Sequence, residues 1–177
     1  MTNSPIEKPP VLRAAVREDL HAVAAIYAHH VEHSVATFDL EAPDVAEWDR
    51  RFAAIHAAGL PFLVAEQDGA VAGYAYCVPW KSRPAYRWTV ENSIYLAPWA
   101  VGHGIGDVLL DGLIAGVAEV GVREVIAVVA DSGDPASRAL HERRGFTEAG
   151  RLRRVGYKHG RWLDTVLLQR SLRGEGD

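Results

Sequence analysis

Residues 101–106 read Val-Gly-His-Gly-Ile-Gly and lie between an apolar, strand-like run and an amphipathic helical pattern. The glycines stand at alternate positions, so little side chain covers the backbone where the helix is predicted to begin. A helix N-terminus presents free N–H groups and the positive end of the helix dipole, which together suit a phosphate or pyrophosphate. The stretch therefore predicts either a pyrophosphate-binding turn or a glycine-rich connector without a ligand.

Two common phosphate-binding motifs do not match these glycines. A Walker loop ends in Gly-Lys-Ser or Gly-Lys-Thr, and no lysine follows here. A dinucleotide-binding fingerprint requires Gly-x-Gly-x-x-Gly, and counted from Gly102 its third glycine would fall on Asp107. Neither nucleotide-binding class is therefore predicted from the turn.

Composition excludes several classes of protein. The 177 residues carry a formal net charge of -4, and no basic block indicates nucleic-acid binding. No apolar run is long enough for a signal peptide or a membrane span, so we expect a cytoplasmic protein with no membrane partner. The single cysteine, Cys77, excludes an internal disulfide, and the scattered histidines predict no metal site.

Hydrophobic periodicity predicts one domain over residues 11–171, with loose segments at 1–10 and 172–177. The elements follow the order β-α-α-β-β-β-α-β-α-β-β, in a mixed sheet with helices on both faces. They are predicted at residues 11–14, 17–32, 44–58, 62–66, 71–78, 89–96, 105–120, 125–130, 135–144, 146–157 and 163–170. The run 125–130 is typical of a strand buried on both faces. The inward side chains predicted for the helix 105–120 are Ile105, Leu109, Leu113, Val117 and Val120.

Four short motifs, together with the glycine turn and the element order, resemble a known family. The motifs are Arg83-Pro84-Ala85-Tyr86-Arg87, Thr89-Val90-Glu91-Asn92-Ser93-Ile94-Tyr95, Leu140-His141-Glu142-Arg143-Arg144-Gly145-Phe146 and Gly156-Tyr157-Lys158-His159-Gly160-Arg161-Trp162-Leu163-Asp164. They resemble the GCN5-related N-acetyltransferases, and within them the phosphinothricin and methionine sulfoximine N-acetyltransferase group. The resemblance spans about residues 11–169. It implies an α/β (α+β mixed) fold whose mostly antiparallel sheet has splayed central parallel strands.

The resemblance implies acetyl-CoA as co-substrate, with its pantetheine arm in the gap between the splayed strands. Carried over by position, the pyrophosphate lies on the backbone amides of residues 101–106. The expected cofactor-binding residues are Leu96, Val101, Gly102, His103, Gly104, Ile105, Gly106 and Asp134.

Two of these positions depart from the family pattern. The family usually has Arg or Gln where this chain has Val101, so we expect weaker acetyl-CoA binding. His103 either supplies part of the missing positive charge or is a solvated loop residue. Asp134 stands where relatives often have Asn, and it either contacts the cofactor arm or caps the helix ahead of Pro135.

Acetyl transfer to an amine needs a base, because an ammonium group has no lone pair. Glu91 matches the family position for this base, and burial in an apolar strand would raise its pKa toward a useful range. His141 matches the position of a proton donor for the departing CoA thiolate. The alternatives are an outward-facing strand glutamate and a surface helix histidine.

Arg83 and Arg87, with Tyr86 between them, precede Glu91 and suit an anionic acceptor, because guanidinium groups bind carboxylate or phosphinate in pairs of hydrogen bonds. Both arginines could instead be solvated loop residues. Phe38 either lines the acceptor pocket or packs in the core.

The resulting prediction is direct acetylation of the amine of phosphinothricin, methionine sulfoximine or methionine sulfone. Alternatives are an acetyltransferase of another amino acid or small amine, and a non-catalytic acyl-CoA-binding sensor. The resemblance also implies a homodimer.

Overall fold

The computed structural model describes residues 8–173, and its elements occur in the predicted order. The strands are β1 (Val11–Ala14), β2 (Phe62–Gln67), β3 (Ala70–Pro79), β4 (Thr89–Leu96), β5 (Glu124–Ala130), β6 (Thr147–Lys158) and β7 (Arg161–Ser171). The helices are α1 (Leu20–His33), α2 (Val45–Ala57), α3 (Ile105–Glu119) and α4 (Ala136–Arg143). The loose segments predicted at 1–10 and 172–177 lie outside the described residues, apart from residues 8–10 and 172–173.

The strands form one sheet in the order β1-β2-β3-β4-β5-β7-β6. Every neighbouring pair is antiparallel except β4 and β5, which run parallel. These two strands pair only from Thr89 with Glu124 to Glu91 with Ile126. Beyond Glu91, β4 remains paired with β3 but no longer with β5. The predicted splay of the central parallel strands is therefore confirmed.

Side-chain alternation along β4 defines two faces of the sheet. On one face, which carries Glu91 and is called the Glu91 face, Tyr95 packs against Tyr27 of α1 with ring centroids 5.0 Å apart. On the other, the Asn92 face, the amide of Asn92 lies 2.9 Å from the imidazole of His141 in α4. Helices therefore cover both faces, as predicted.

Local sequence sets the ends of the helices. Asp44 caps α2 by accepting the backbone N–H of Glu47 at 2.8 Å, and Gly59 follows the helix with a φ of +68°. The core between helices and sheet is continuous. Its largest fully buried side chains include Trp48, Tyr74, Leu20, Ile105, Leu109, Leu110, Leu113 and Leu168.

Two packing predictions were wrong. Val120 is half exposed because α3 ends at Glu119, one residue earlier. Strand β5 is not buried on both faces: Val125 and Ala127 are buried on the Asn92 face, whereas Val128 is exposed. Val128 lies two residues beyond Ile126, on the Glu91 face, where β5 has already separated from β4. Between residues 8 and 173, no helix is both long and apolar enough to cross a membrane.

Candidate active site

The glycine turn is open at two of its three glycines. Gly102 and Gly104 have φ values of +84° and +75°, and a Cβ built on either would meet no atom within 4 Å. Gly104 directly precedes α3, so its left-handed conformation brings the chain into the helix with the first N–H groups uncovered. This open backbone at a helix N-terminus fits a phosphate-bearing group.

Gly106 and the side chain of Ile105 pack within the protein, and a cofactor contact through their backbone amides stays a prediction. A Cβ on Gly106 would lie 3.2 Å from a methyl carbon of Leu140, so this glycine lets α3 approach α4 closely. The side chain of Ile105 is buried, which leaves only its backbone for a ligand. Val101 is 60% exposed and His103 is half-buried, so these two side chains flank the open glycines.

The splayed part of β4 carries the second feature expected of a cofactor site. From Asn92 to Leu96, the edge of β4 that faces β5 has no strand partner among residues 8–173. The carbonyl of Leu96 is the exception, because Nε2 of His30 lies 2.8 Å from it and must donate to it. The remaining backbone groups along this edge can pair with an extended, amide-containing arm.

Glu91 belongs to the last residue pair that joins β4 to β5, and the point where the two strands separate is called the fork. The side chain of Glu91 is half-buried, and it makes no hydrogen bond or ion pair to any residue between 8 and 173. Burial raises the pKa of Glu91, while the positive charge of Lys81 acts in the opposite direction. A carboxylate with a raised pKa and no partner suits proton abstraction.

His141 is 4% exposed, so it is not the surface histidine that the sequence left open. Its Nδ1 lies 2.7 Å from the carbonyl oxygen of Ser137, and its Nε2 lies 2.9 Å from Nδ2 of Asn92. Burial lowers the pKa of His141. Both ring nitrogens are therefore engaged within the protein.

Asp134 is exposed and acts as a cap. Its Oδ1 accepts the backbone N–H of Ala136 at 3.0 Å, ahead of α4. This bond supports the capping alternative, and a cofactor contact through the same side chain stays a prediction.

The acceptor-site candidates lie in two places. Arg83, Tyr86 and Arg87 are exposed on the connection between β3 and β4, and the guanidinium of Arg87 lies 4.9 Å from the ring centre of Trp88. Phe38 lies on the connection between α1 and α2 and packs so closely against Gly156 that an added Cβ would collide with the phenyl ring.

Sequence reasoning missed a buried lysine beside Phe38. Lys158 is 3% exposed, and its Nζ donates to the carbonyl of Thr37 at 2.8 Å. The hydroxyl of Thr37 lies 2.6 Å from that of Tyr27, which donates to Asp39. Lys158 belongs to the last quoted motif, but nothing in that motif indicates its partner 121 residues away.

Comparison with known proteins decides the family. Residues 12–167 match the model described as an acetyltransferase (GNAT) domain. The chain belongs to the GNAT acetyltransferase family. It is therefore an N-acetyltransferase, and acetyl-CoA is the acetyl donor of this family.

Relatives of this GNAT chain have specific names. It is 50% identical to a phosphinothricin N-acetyltransferase of Alcaligenes faecalis over 161 residues, which cover 91% of this chain and 82% of that protein. It is 36% identical to an L-methionine sulfoximine/L-methionine sulfone acetyltransferase of Salmonella typhimurium, with 91% and 94% covered. A crystal structure of a phosphinothricin acetyltransferase from Sinorhizobium meliloti in complex with acetyl-CoA superimposes with a TM-score of 0.90 at 44% identity. That superposition covers 93% of this chain and 89% of the other.

Proposed function

We propose that this GNAT enzyme transfers the acetyl group of acetyl-CoA directly to the amine of a small amino acid analogue. The candidates are phosphinothricin, methionine sulfoximine and methionine sulfone, the acceptors named for its relatives. The observation that carries the proposal is the half-buried carboxylate of Glu91, which has no hydrogen-bond or ion-pair partner among residues 8–173 and lies where β4 separates from β5.

When bound, acetyl-CoA supplies an acetyl group activated as a thioester. The backbone of residues 101–106 would hold its pyrophosphate, and the free edge of β4 from Asn92 to Leu96 would hold its pantetheine arm. Val101 carries no charge, so the phosphate contact there would rest on backbone amides such as those at the open positions Gly102 and Gly104. His103 flanks them, and Asp134 remains a candidate contact at the start of α4.

Glu91 acts as the general base. It takes a proton from the acceptor's ammonium group, and the freed lone pair forms the new C–N bond. As the C–S bond breaks, its electron pair goes to sulfur, and the nitrogen loses its second proton. One of the two protons ends on the thiol and the other in solvent. Burial raises the pKa of Glu91, which makes the carboxylate a stronger base at neutral pH.

Direct transfer is supported by the state of Cys77. Its side chain is fully buried in β3, and burial raises the pKa of its thiol. Asn92, which pairs with Cys77 across the strands, engages Nε2 of His141, so this nitrogen is not free to act as a base for the thiol. A thiol without a base is a poor nucleophile, so an acetyl-cysteine intermediate is not part of the proposal.

Arg83 and Arg87 are the proposed anion contacts for the acceptor, with Tyr86 beside them and Phe38 as an apolar wall. Their exposure on the β3–β4 connection leaves the guanidinium groups free to meet a ligand. We also propose a cytoplasmic homodimer made of one domain per chain. The dimer is supported by apolar side chains exposed along β6 and β7, which include Leu152, Val155, Tyr157 and Trp162.

A thiol-release assay over a panel of amines tests the proposal. We expect acetyl-CoA-dependent release with the three named acceptors, little with a polyamine, and sedimentation as a dimer. Rapid turnover of the polyamine alone would overturn the acceptor assignment. Tight acetyl-CoA binding without turnover of any amine would favour an acyl-CoA sensor instead.

A further inference from the structure

The hydrogen bonds around His141 fix where its proton sits. A carbonyl oxygen can only accept, so the 2.7 Å contact with Ser137 requires a proton on Nδ1. Burial disfavours the imidazolium form, which leaves Nε2 as an acceptor with its lone pair exposed to Asn92. The amide of Asn92 must then turn its NH₂ group toward Nε2, at 2.9 Å.

This arrangement leaves His141 without a proton to give at Nε2. Its one acidic proton, on Nδ1, is held by the helix backbone at Ser137. The expected role of His141 as proton donor to the departing thiolate needs a proton on a nitrogen that faces the reaction. In the ground state of the protein neither nitrogen meets that requirement.

Asn92 is the residue that connects this histidine to the base. It directly follows Glu91 and is the first residue of β4 beyond the last pair with β5. It is 6% exposed, and its Oδ1 has no partner among the described residues. A buried amide oxygen without a partner costs stability, and the bond from Nδ2 to His141 is the side-chain hydrogen bond that Asn92 makes among the described residues.

We propose that Asn92 and His141 form a positioning pair: the Asn92 amide donates to Nε2 of His141, ties β4 to α4 at the fork, and so orients Glu91. His141 then acts as a hydrogen-bond acceptor and not as a proton donor. The proton that sulfur gains is the second proton lost by the attacking nitrogen, so no side-chain acid is required. The inference rests on the proposed function for its kinetic consequences but not for its geometry.

The geometric consequence is tested without substrate. Long-range ¹H–¹⁵N spectra of the imidazoles report the tautomer of each histidine, and loss of one pattern in His141→Gln assigns that of His141. At pH 7 we expect a neutral ring with the proton on Nδ1. An imidazolium, or a proton on Nε2, would overturn the inference.

Kinetics separate a positioning role from proton donation. Glutamine keeps an acceptor near the place of Nε2 but has no titratable proton, whereas leucine keeps bulk and loses the acceptor. We expect His141→Leu to lower kcat about a hundredfold, within the range of about 10²–10⁴ that is typical of an acid or base. The kcat of His141→Gln should be roughly tenfold higher than that of His141→Leu. Equal losses in both variants would indicate a proton donor. The exposed His33, changed to leucine, is the matched control, and melting curves verify that each variant is folded.

A double-mutant cycle then tests the pair itself. If Asn92 and His141 act as one unit, Asn92→Leu combined with His141→Leu should lower kcat no more than either change alone. If the double variant instead lost kcat by the product of the two single losses, the pairing would be contradicted. The proposed function fails separately, if the wild-type protein acetylates no acceptor while the ring of His141 still shows the Nδ1–H tautomer.

Discussion

Glu91 of β4 lies opposite Ile126 of β5, and this is the last pair that joins the two parallel strands. The carboxylate therefore lies where the sheet opens: β4 is paired with β5 before it, and after it β4 is paired only with β3. A ligand that extends along the free edge of β4 ends beside this carboxylate. The separation of β4 from β5 thus places the end of such a ligand next to the proposed general base.

The glycine turn gives the first prediction. Acetyl-CoA at a hundredfold excess over its Kd should stabilise the protein by about 2.7 kcal/mol, or roughly 5–10 °C in Tm for a chain of this size. Gly104→Val should abolish the shift, since the added side chain occupies the open space above the backbone. Gly59→Val is the matched control: its φ is +68° and the space around it is equally open, but it lies after α2. A normal shift in Gly104→Val would remove the turn from the cofactor site.

The uncharged side chain of Val101, where the family usually has Arg or Gln, gives the second prediction. Val101→Arg places a cation beside Gly102 and should tighten acetyl-CoA binding by about three- to tenfold at low salt. The gain should fade near 1 M salt, where the screening length is about 3 Å. Val120→Arg adds the same charge at the opposite end of α3, where the side chain is also half exposed, and should leave Kd unchanged. Equal effects of both changes would indicate a general charge effect.

The acceptor contacts give the third prediction. Arg83→Ala and Arg87→Ala should each raise the KM of the acceptor about tenfold, which corresponds to about 1.4 kcal/mol. A larger loss is not expected, because both arginines are exposed and exposed ion pairs contribute little. Binding of acetyl-CoA, measured by calorimetry, should not change. Arg50→Ala, on the surface of α2, is the control, and an unaltered KM in both loop variants would exclude the anion contacts.

The pKa of Glu91 gives a stability prediction. Because burial raises the folded-state pKa, Glu91 favours the folded state below its unfolded pKa, and this contribution is lost as pH rises through the folded value. Glu91→Gln does not titrate, so its Tm should exceed that of the wild type by roughly 2 °C at pH 8 and match it near pH 4. The control is Glu41→Gln, whose side chain is exposed. A Tm difference that is constant with pH would contradict the raised pKa.

Patterns that are local in sequence predicted most of the fold. The alternation in residues 89–96 and the helix signal after Gly104 match β4 and α3 because each depends on neighbouring residues. The exposure of Val128 could not be predicted in this way, since it depends on where β5 leaves β4. The packing of Gly106 against Leu140 could not be predicted either, because Leu140 belongs to another helix.

The same division applies to the candidate site. Glu91 and the glycine turn could be identified from motifs, whereas the partner of His141 could not. Asn92 is 49 residues from His141, and only the packing of α4 on the sheet brings the two together. Likewise, His30 reaches the Leu96 carbonyl across 66 residues. A contact between residues that are far apart in sequence leaves no pattern among the neighbours of either residue.

The most direct test of the account is kcat of Glu91→Gln as a function of pH, because glutamine keeps the shape of the side chain but accepts no proton. We predict a loss of about 10²–10⁴-fold at pH 7, with both substrates still bound. The loss should shrink as pH approaches the pKa of the acceptor's amine, where neutral amine forms without help. A variant with wild-type kcat at pH 7, or a loss that is the same at every pH, would contradict the assignment of Glu91 as the base.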